Sequence, residues 1–66
     1  MKNITVTLEN YPSKYYPVIA RYTRNKTKYC LVFENVKQAK REIDFMLYGG
    51  VLYNLKFIDK TGSAEK

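Results

Sequence analysis

The sequence predicts a small α+β domain of order β-β-β-α-β, a mixed three- to four-stranded sheet with one helix packed on a single face. Three patterns carry this expectation. Apolar side chains alternate over residues 3–8 and 51–57, residues 18–34 match across a short turn, and residues 36–48 repeat at helical period.

Ile4, Val6 and Leu8 lie to one side of the first segment and Asn3, Thr5 and Thr7 to the other, which reads as a half-buried strand. Residues 9–14 form a loop, because Pro12 fixes φ and lacks a donor while Asn10 and Ser13 compete for backbone hydrogen bonds. Pro17 fits only the start or edge of the next strand, placed at 18–24, with a third at 28–34. With Asn25-Lys26 as a two-residue turn, Tyr22 faces Tyr29, Ala20 faces Leu31 and Val18 faces Phe33. The opposite side carries Ile19, Arg21, Thr23, Lys28, Cys30 and Val32, with Cys30 as a small half-buried residue.

On a helical wheel Ala39, Ile43, Met46 and Leu47 fall within about 50° of a common direction and form a core stripe. Asn35 is the expected N-cap, with Gln38 three positions later, and Gly49 the expected left-handed residue after the helix. The last strand then turns Val51, Tyr53, Leu55 and Phe57 inward and Asn54 and Lys56 outward. Its direction is parallel to the third strand, reached by a right-handed crossover. Residues 1–59 make a single domain, and 60–66, apolar only at Ala64, are expected as a disordered tail.

Sixty-six residues allow one core. The chain has no His, one Cys and six scattered carboxylates, too few groups for the usual acid–base or nucleophilic constellations, so neither catalytic residues nor a metal or cofactor site is expected. Its longest apolar runs are four residues, or five where Tyr29 is counted with Cys30–Phe33, against about 20 for a membrane span, and the start alternates where a signal peptide would be continuous. A cytoplasmic protein without membrane attachment is the expectation, in a host cell if the gene is viral.

The net charge of +6 has two sources. Residues with AT-rich codons number 30 against 11 with GC-rich ones, which raises Lys and Tyr together and suits a phage or mobile element of an AT-rich genome. Codon bias does not explain the segregation. Between Glu9 and Glu34 stand five cations, five tyrosines and no acid.

Three features are candidates for function. In the basic hairpin, Arg21, Arg24, Lys26 and Lys28 suit phosphate contact, while Thr23, Asn25 or Arg21 approach base edges from a two-stranded ribbon. A solvated edge hairpin kept from aggregating by its cations has the same composition. On the helix, Lys37, Arg41, Phe45 and Tyr48 oppose the core stripe, so Phe45 calls for a cover: a partner, a second copy, or the Tyr-rich loop 11–16. That loop, Tyr11-Pro12-Ser13-Lys14-Tyr15-Tyr16-Pro17, suits stacking on bases or a peptide as well as ordinary packing.

Strands ending in Phe33, a helix with Ala39 on its inner face, and Gly49, Asn54 and Phe57 beyond it resemble the outline of three-stranded-sheet-plus-helix DNA-binding domains, the ethylene-response-factor type and the arm-binding domains of tyrosine integrases. The resemblance covers residues 18–57 and implies a sheet face in the major groove, with Arg21, Thr23, Lys28 and Lys56 at the DNA. The strand Gly and Trp positions of those families are absent, and an N-terminal strand is added.

The expected function is that of a small basic, non-catalytic, nucleic-acid-binding protein, DNA before RNA, acting as a regulator or accessory factor. The alternatives are a module that binds an acidic protein, such as a phage-encoded inhibitor of a host or defence protein, and a homodimer or larger homo-oligomer with a structural role.

Overall fold

The alternating first segment forms β1 (Lys2–Asn10), an inner strand of the sheet, with Ile4, Val6 and Leu8 at most 4 % exposed. The structure is a computed structural model and describes residues 2–62. After β1 come β2 (Val18–Arg24), β3 (Thr27–Phe33), α1 (Val36–Met46) and β4 (Tyr53–Asp59). The strands lie in the order β3-β2-β1-β4, so the fold is α+β with one four-stranded mixed sheet. β2 is antiparallel to both β1 and β3, whereas β4 is parallel to β1. β4 therefore shares the direction of β3 but reaches its place by crossing over β2 and β1 to the far edge.

The hairpin has the register read from its side chains. Tyr22 pairs with Tyr29, Ala20 with Leu31 and Val18 with Phe33 around Asn25 and Lys26, whose φ values are 50° and 67°. Two successive positive φ values are the geometry of the turn that matches strand twist.

α1 covers one face with Ala39, Ile43 and Leu47, at most 2 % exposed, against Val6, Leu8, Ala20 and Tyr22. Each Val, Leu or Ile side chain buried this fully contributes about 1.5–3 kcal/mol relative to exposure. Asn35 caps the helix, its Oδ1 accepting from the Gln38 N–H at 2.7 Å, while Gln38 Oε1 accepts from the Glu34 N–H at 2.8 Å. Met46, expected inside, is 42 % exposed because it sits at the margin of a stripe centred on Ile43.

The helix exit differs from expectation. The left-handed residue is Tyr48, with φ 52°, and not Gly49. Gly49 sits in close quarters instead: a Cβ there would make the exposed Asp44 carboxylate turn aside and stand 3.0 Å from a Leu55 methyl. The Val51 and Leu52 N–H groups both donate to the Tyr48 carbonyl at 2.9 Å, so these two residues are spent on the turn. Val51 is consequently exposed instead of inward, and β4 begins at Tyr53.

The domain also continues beyond residue 59. The Lys60 N–H donates to the Leu8 carbonyl at 2.7 Å, and Thr61 is buried, its carbonyl accepting from Asn10 Nδ2 at 2.9 Å. The expected disordered tail thus does not start at Lys60; residues 63–66 lie outside the described part.

Tyr48→Gly removes a left-handed conformation that costs an L-residue more than glycine, and its side chain is exposed. The variant is expected to gain about 0.5–1 kcal/mol in urea unfolding, net of glycine's greater backbone entropy.

Candidate nucleic-acid interface

The face of the sheet away from α1 takes the alternate residues of every strand. These are Asn3, Thr5, Thr7 and Glu9 of β1, Ile19, Arg21 and Thr23 of β2, Lys28, Cys30 and Val32 of β3, and Asn54, Lys56 and Ile58 of β4. Register joins Lys28 to Thr23 and Thr5 to Lys56, giving hydroxyls in the middle of the sheet and a lysine on each edge strand. Among the described residues Glu9 is the one carboxylate of these strands on this side, and its Oε1 accepts from Arg21 Nε at 3.0 Å. Both side chains are exposed, so solvent screens the pair and it adds little to stability.

A groove opens where β1 and β2 part. Their pairing runs from Asn10↔Val18 to Thr7↔Arg21 and stops, although β1 continues to Lys2 and β2 to Arg24. The space, about 580 Å³, is lined by Asn3, Thr5 and Thr7 on one side and by Arg21, Thr23, Lys28 and Cys30 on the other. Ile4, Tyr22 and Tyr29, whose side chains alternate toward the helix, form its floor. Beyond Arg21 the backbone of the hairpin pairs only with itself, while Tyr22 packs in the core and Arg24 reaches Tyr53 of β4.

Of the residues singled out in the hairpin, Arg21, Thr23 and Lys28 come together in this groove, and Asn25 and Lys26 form the exposed tip. Lys56 shares the open face, opposite Thr5 on the far strand. Arg24 does not join them. It alternates to the helix side, where its Nε donates to Tyr53 Oη at 3.1 Å and its guanidinium lies 5.5 Å from the Tyr53 ring centroid. The hydrogen bond to Tyr53 raises the Arg24 pKa further above its ordinary value.

β1 supplies a wall of the groove that sequence reasoning assigned only to an outer side. Alternation marks Asn3, Thr5 and Thr7 as outward, but nothing in it says that Arg21 and Lys28 stand across from them. Cys30, expected half-buried, is exposed because β3 is an edge strand.

Chemically, the groove offers a guanidinium, an ammonium, three hydroxyls and an amide, a donor set for phosphate oxygens. The alternate residues of the four strands on the open face include no aromatic side chain, while at its loop end the Tyr11–Pro17 pair continues the β1–β2 register on this side, beside Ile19, which is 6 % exposed. Comparison with protein-family models, curated proteins and solved structures gave no match. The outline shared with three-stranded DNA-binding domains over residues 18–57 does not form a contiguous sheet here, since β4 joins β1 and touches neither β2 nor β3 as a neighbour.

Phe45, Met46, Tyr48, Val51 and Leu52 are exposed at the C-terminal end of α1, Phe45 at 80 %. The Tyr-rich loop does not cover them. It closes on itself through the Tyr11 N–H to the Pro17 carbonyl at 2.8 Å, at the end of the sheet where α1 begins. Phe45 lies nine residues along the helix, about 14 Å further on.

Tyr22 links the groove floor to the core, stacked on Tyr29 with centroids 5.2 Å apart. Burial, and then the neighbouring Tyr29, push its phenol pKa above the ordinary 10.0. The folded state thus holds the Tyr22 proton more tightly than the unfolded chain, a contribution complete below pH 10 and lost as pH rises through the folded value. Urea melts between pH 9 and about 11 are expected to show a fall in stability that Tyr22→Phe reduces.

Proposed function

We propose that the protein binds duplex nucleic acid, DNA ahead of RNA, through its open sheet face and the 21–28 hairpin, and that it works without catalysis as a regulatory or accessory factor. The supporting observation is the gathering of Arg21, Thr23 and Lys28 in one groove, on a face whose single strand carboxylate among the described residues is already paired. The two-stranded hairpin has the width that the B-DNA major groove admits, whereas the deep, narrow A-form groove excludes it. The AT-rich coding supports an origin in a phage or mobile element and action in the cytoplasm of its host.

Affinity for random duplex is expected to fall steeply between low and moderate salt. Lys26→Ala with Lys28→Ala flattens that slope by about two units, roughly 0.9 per lost phosphate contact. Glu9→Gln frees Arg21 and tightens binding, while Arg24→Ala, held by Tyr53 on the other side, leaves the slope unchanged. Salt-insensitive binding, or none, measured by fluorescence anisotropy overturns the proposal.

The exposed cluster around Phe45 favours a second reading, a protein-docking surface for an inhibitor or assembly role, flanked on the helix by Lys37 and Arg41. Phe45→Ser is expected to change stability by less than about 0.5 kcal/mol, since the ring is in solvent. The same variant would lose a protein partner that wild type captures; retained capture counts against this reading.

A further inference from the structure

β3 is an edge strand with little to prevent pairing. It contains no proline, its register with β2 is unbroken from Thr27 to Phe33, and Lys28 is its one charged residue. The other edge, β4, carries both Lys56 and Asp59. Bare edges of this kind are templates for another strand, and natural sheets usually defend them with charges, proline or bulges.

The direction of the free backbone groups follows from the turn. A two-residue turn makes Arg24 and Thr27 a hydrogen-bonded pair, so by alternation Tyr29, Leu31 and Phe33 turn their N–H and C=O groups to β2. Lys28, Cys30 and Val32 turn theirs outward. A strand that pairs with this edge must present matching groups at the same spacing.

We propose that the partner at this edge is a second copy of the chain, its β3 running antiparallel about a two-fold axis at Leu31. In that register Leu31 meets Leu31, Tyr29 meets Phe33, Cys30 meets Val32, and Lys28 meets Glu34, the residue that follows the strand. The outward groups of Cys30 and Val32 then bond each other. Every pair is apolar with apolar or cation with anion, on the correct face, which is the pairing that stabilises antiparallel strands. Centring the axis on Cys30 instead sets Lys28 against Val32 and Thr27 against Phe33, and puts Glu34 opposite Lys26, a left-handed turn residue outside the strand. The Lys28–Glu34 pair is exposed and selects register more than it adds affinity.

The result is an eight-stranded sheet with both helices on one face and both open faces on the other, as two-fold symmetry requires. It covers Tyr29 and Val32, which are 41 % and 39 % exposed in the single chain. It does not use Phe45. Counting five residues at about 3.3 Å on each side of the axis, the two Lys26 tips stand roughly 33 Å apart, close to one helical turn of DNA. That last consequence rests on the nucleic-acid reading, whereas the dimer itself does not.

Sedimentation equilibrium without nucleic acid tests the dimer. Wild type is expected at twice the 7.8 kDa chain mass, and Glu34→Lys, which sets two pairs of like charges together, is expected to weaken the dimer about tenfold. Lys28→Glu added to Glu34→Lys restores it, which also controls for any effect of a cation near the start of α1. Val32→Cys, placed opposite the native Cys30 of the other copy, is expected to give a crosslinked dimer on mild oxidation, and wild type is not. A monomer at every concentration, a Glu34→Lys dimer of unchanged affinity, or crosslinking of wild type through Cys30 overturns the proposal. Circular dichroism of each variant separates loss of pairing from loss of fold.

Discussion

Burial of one side of β1 is the constraint on which the remaining structure depends. Ile4, Val6 and Leu8 form the middle of the core, and the same backbone pairs with β2 on one side and β4 on the other. Because successive side chains point to opposite faces, putting these three under the helix puts Asn3, Thr5 and Thr7 on the open face. The groove wall is therefore a by-product of the core. A one-residue slip in β1 would exchange the two sets, burying threonines and exposing the aliphatic residues. The C-terminal segment secures this register, since the Lys60 N–H bonds to the Leu8 carbonyl and Asn10 holds Thr61.

The cations of the hairpin are neighbours in sequence but are sorted by the same alternation. Arg21, Thr23 and Lys28 face the groove, while Arg24 crosses to the helix side and joins Tyr53, a residue 29 positions later. Partners are distributed just as unevenly. Arg21 is paired with Glu9, and Asn25 and Lys26 project at the tip. Net charge thus overstates what the face offers. What matters is that its cations sit with hydroxyls and an amide around one opening.

The small size of the chain first suggests a shortage of core. The structure meets part of that shortage with Tyr22, Tyr29 and Tyr53, which pack at the margins of the aliphatic cluster, and with the clasp at Thr61. Among the described residues it leaves uncovered, besides the open face, the cluster around Phe45 and the edge of β3. They differ in kind: the first presents side chains of no evident symmetry, the second a strand whose pattern complements itself.

Local patterns carried the elements and most of their faces. The hairpin register could be read because turn length and side-chain sidedness constrain each other, and the Asn35 cap because its side chain acts within one helical turn. Patterns misjudged the exit from the helix, where Gly49 suggested the left-handed position but Tyr48 takes it, while Gly49 lies close under the side chains of Asp44 and Leu55. The sequence by itself determined most of the residues that face in, though not Met46 or Val51, and the basic character of residues 10–33. Only the tertiary structure decided that β1 lies between β2 and β4, that β1 parts from β2 to open the groove, and that Arg24 is withdrawn from it. Those outcomes depend on which strand becomes whose neighbour, and a period-two pattern is the same for every choice of neighbour.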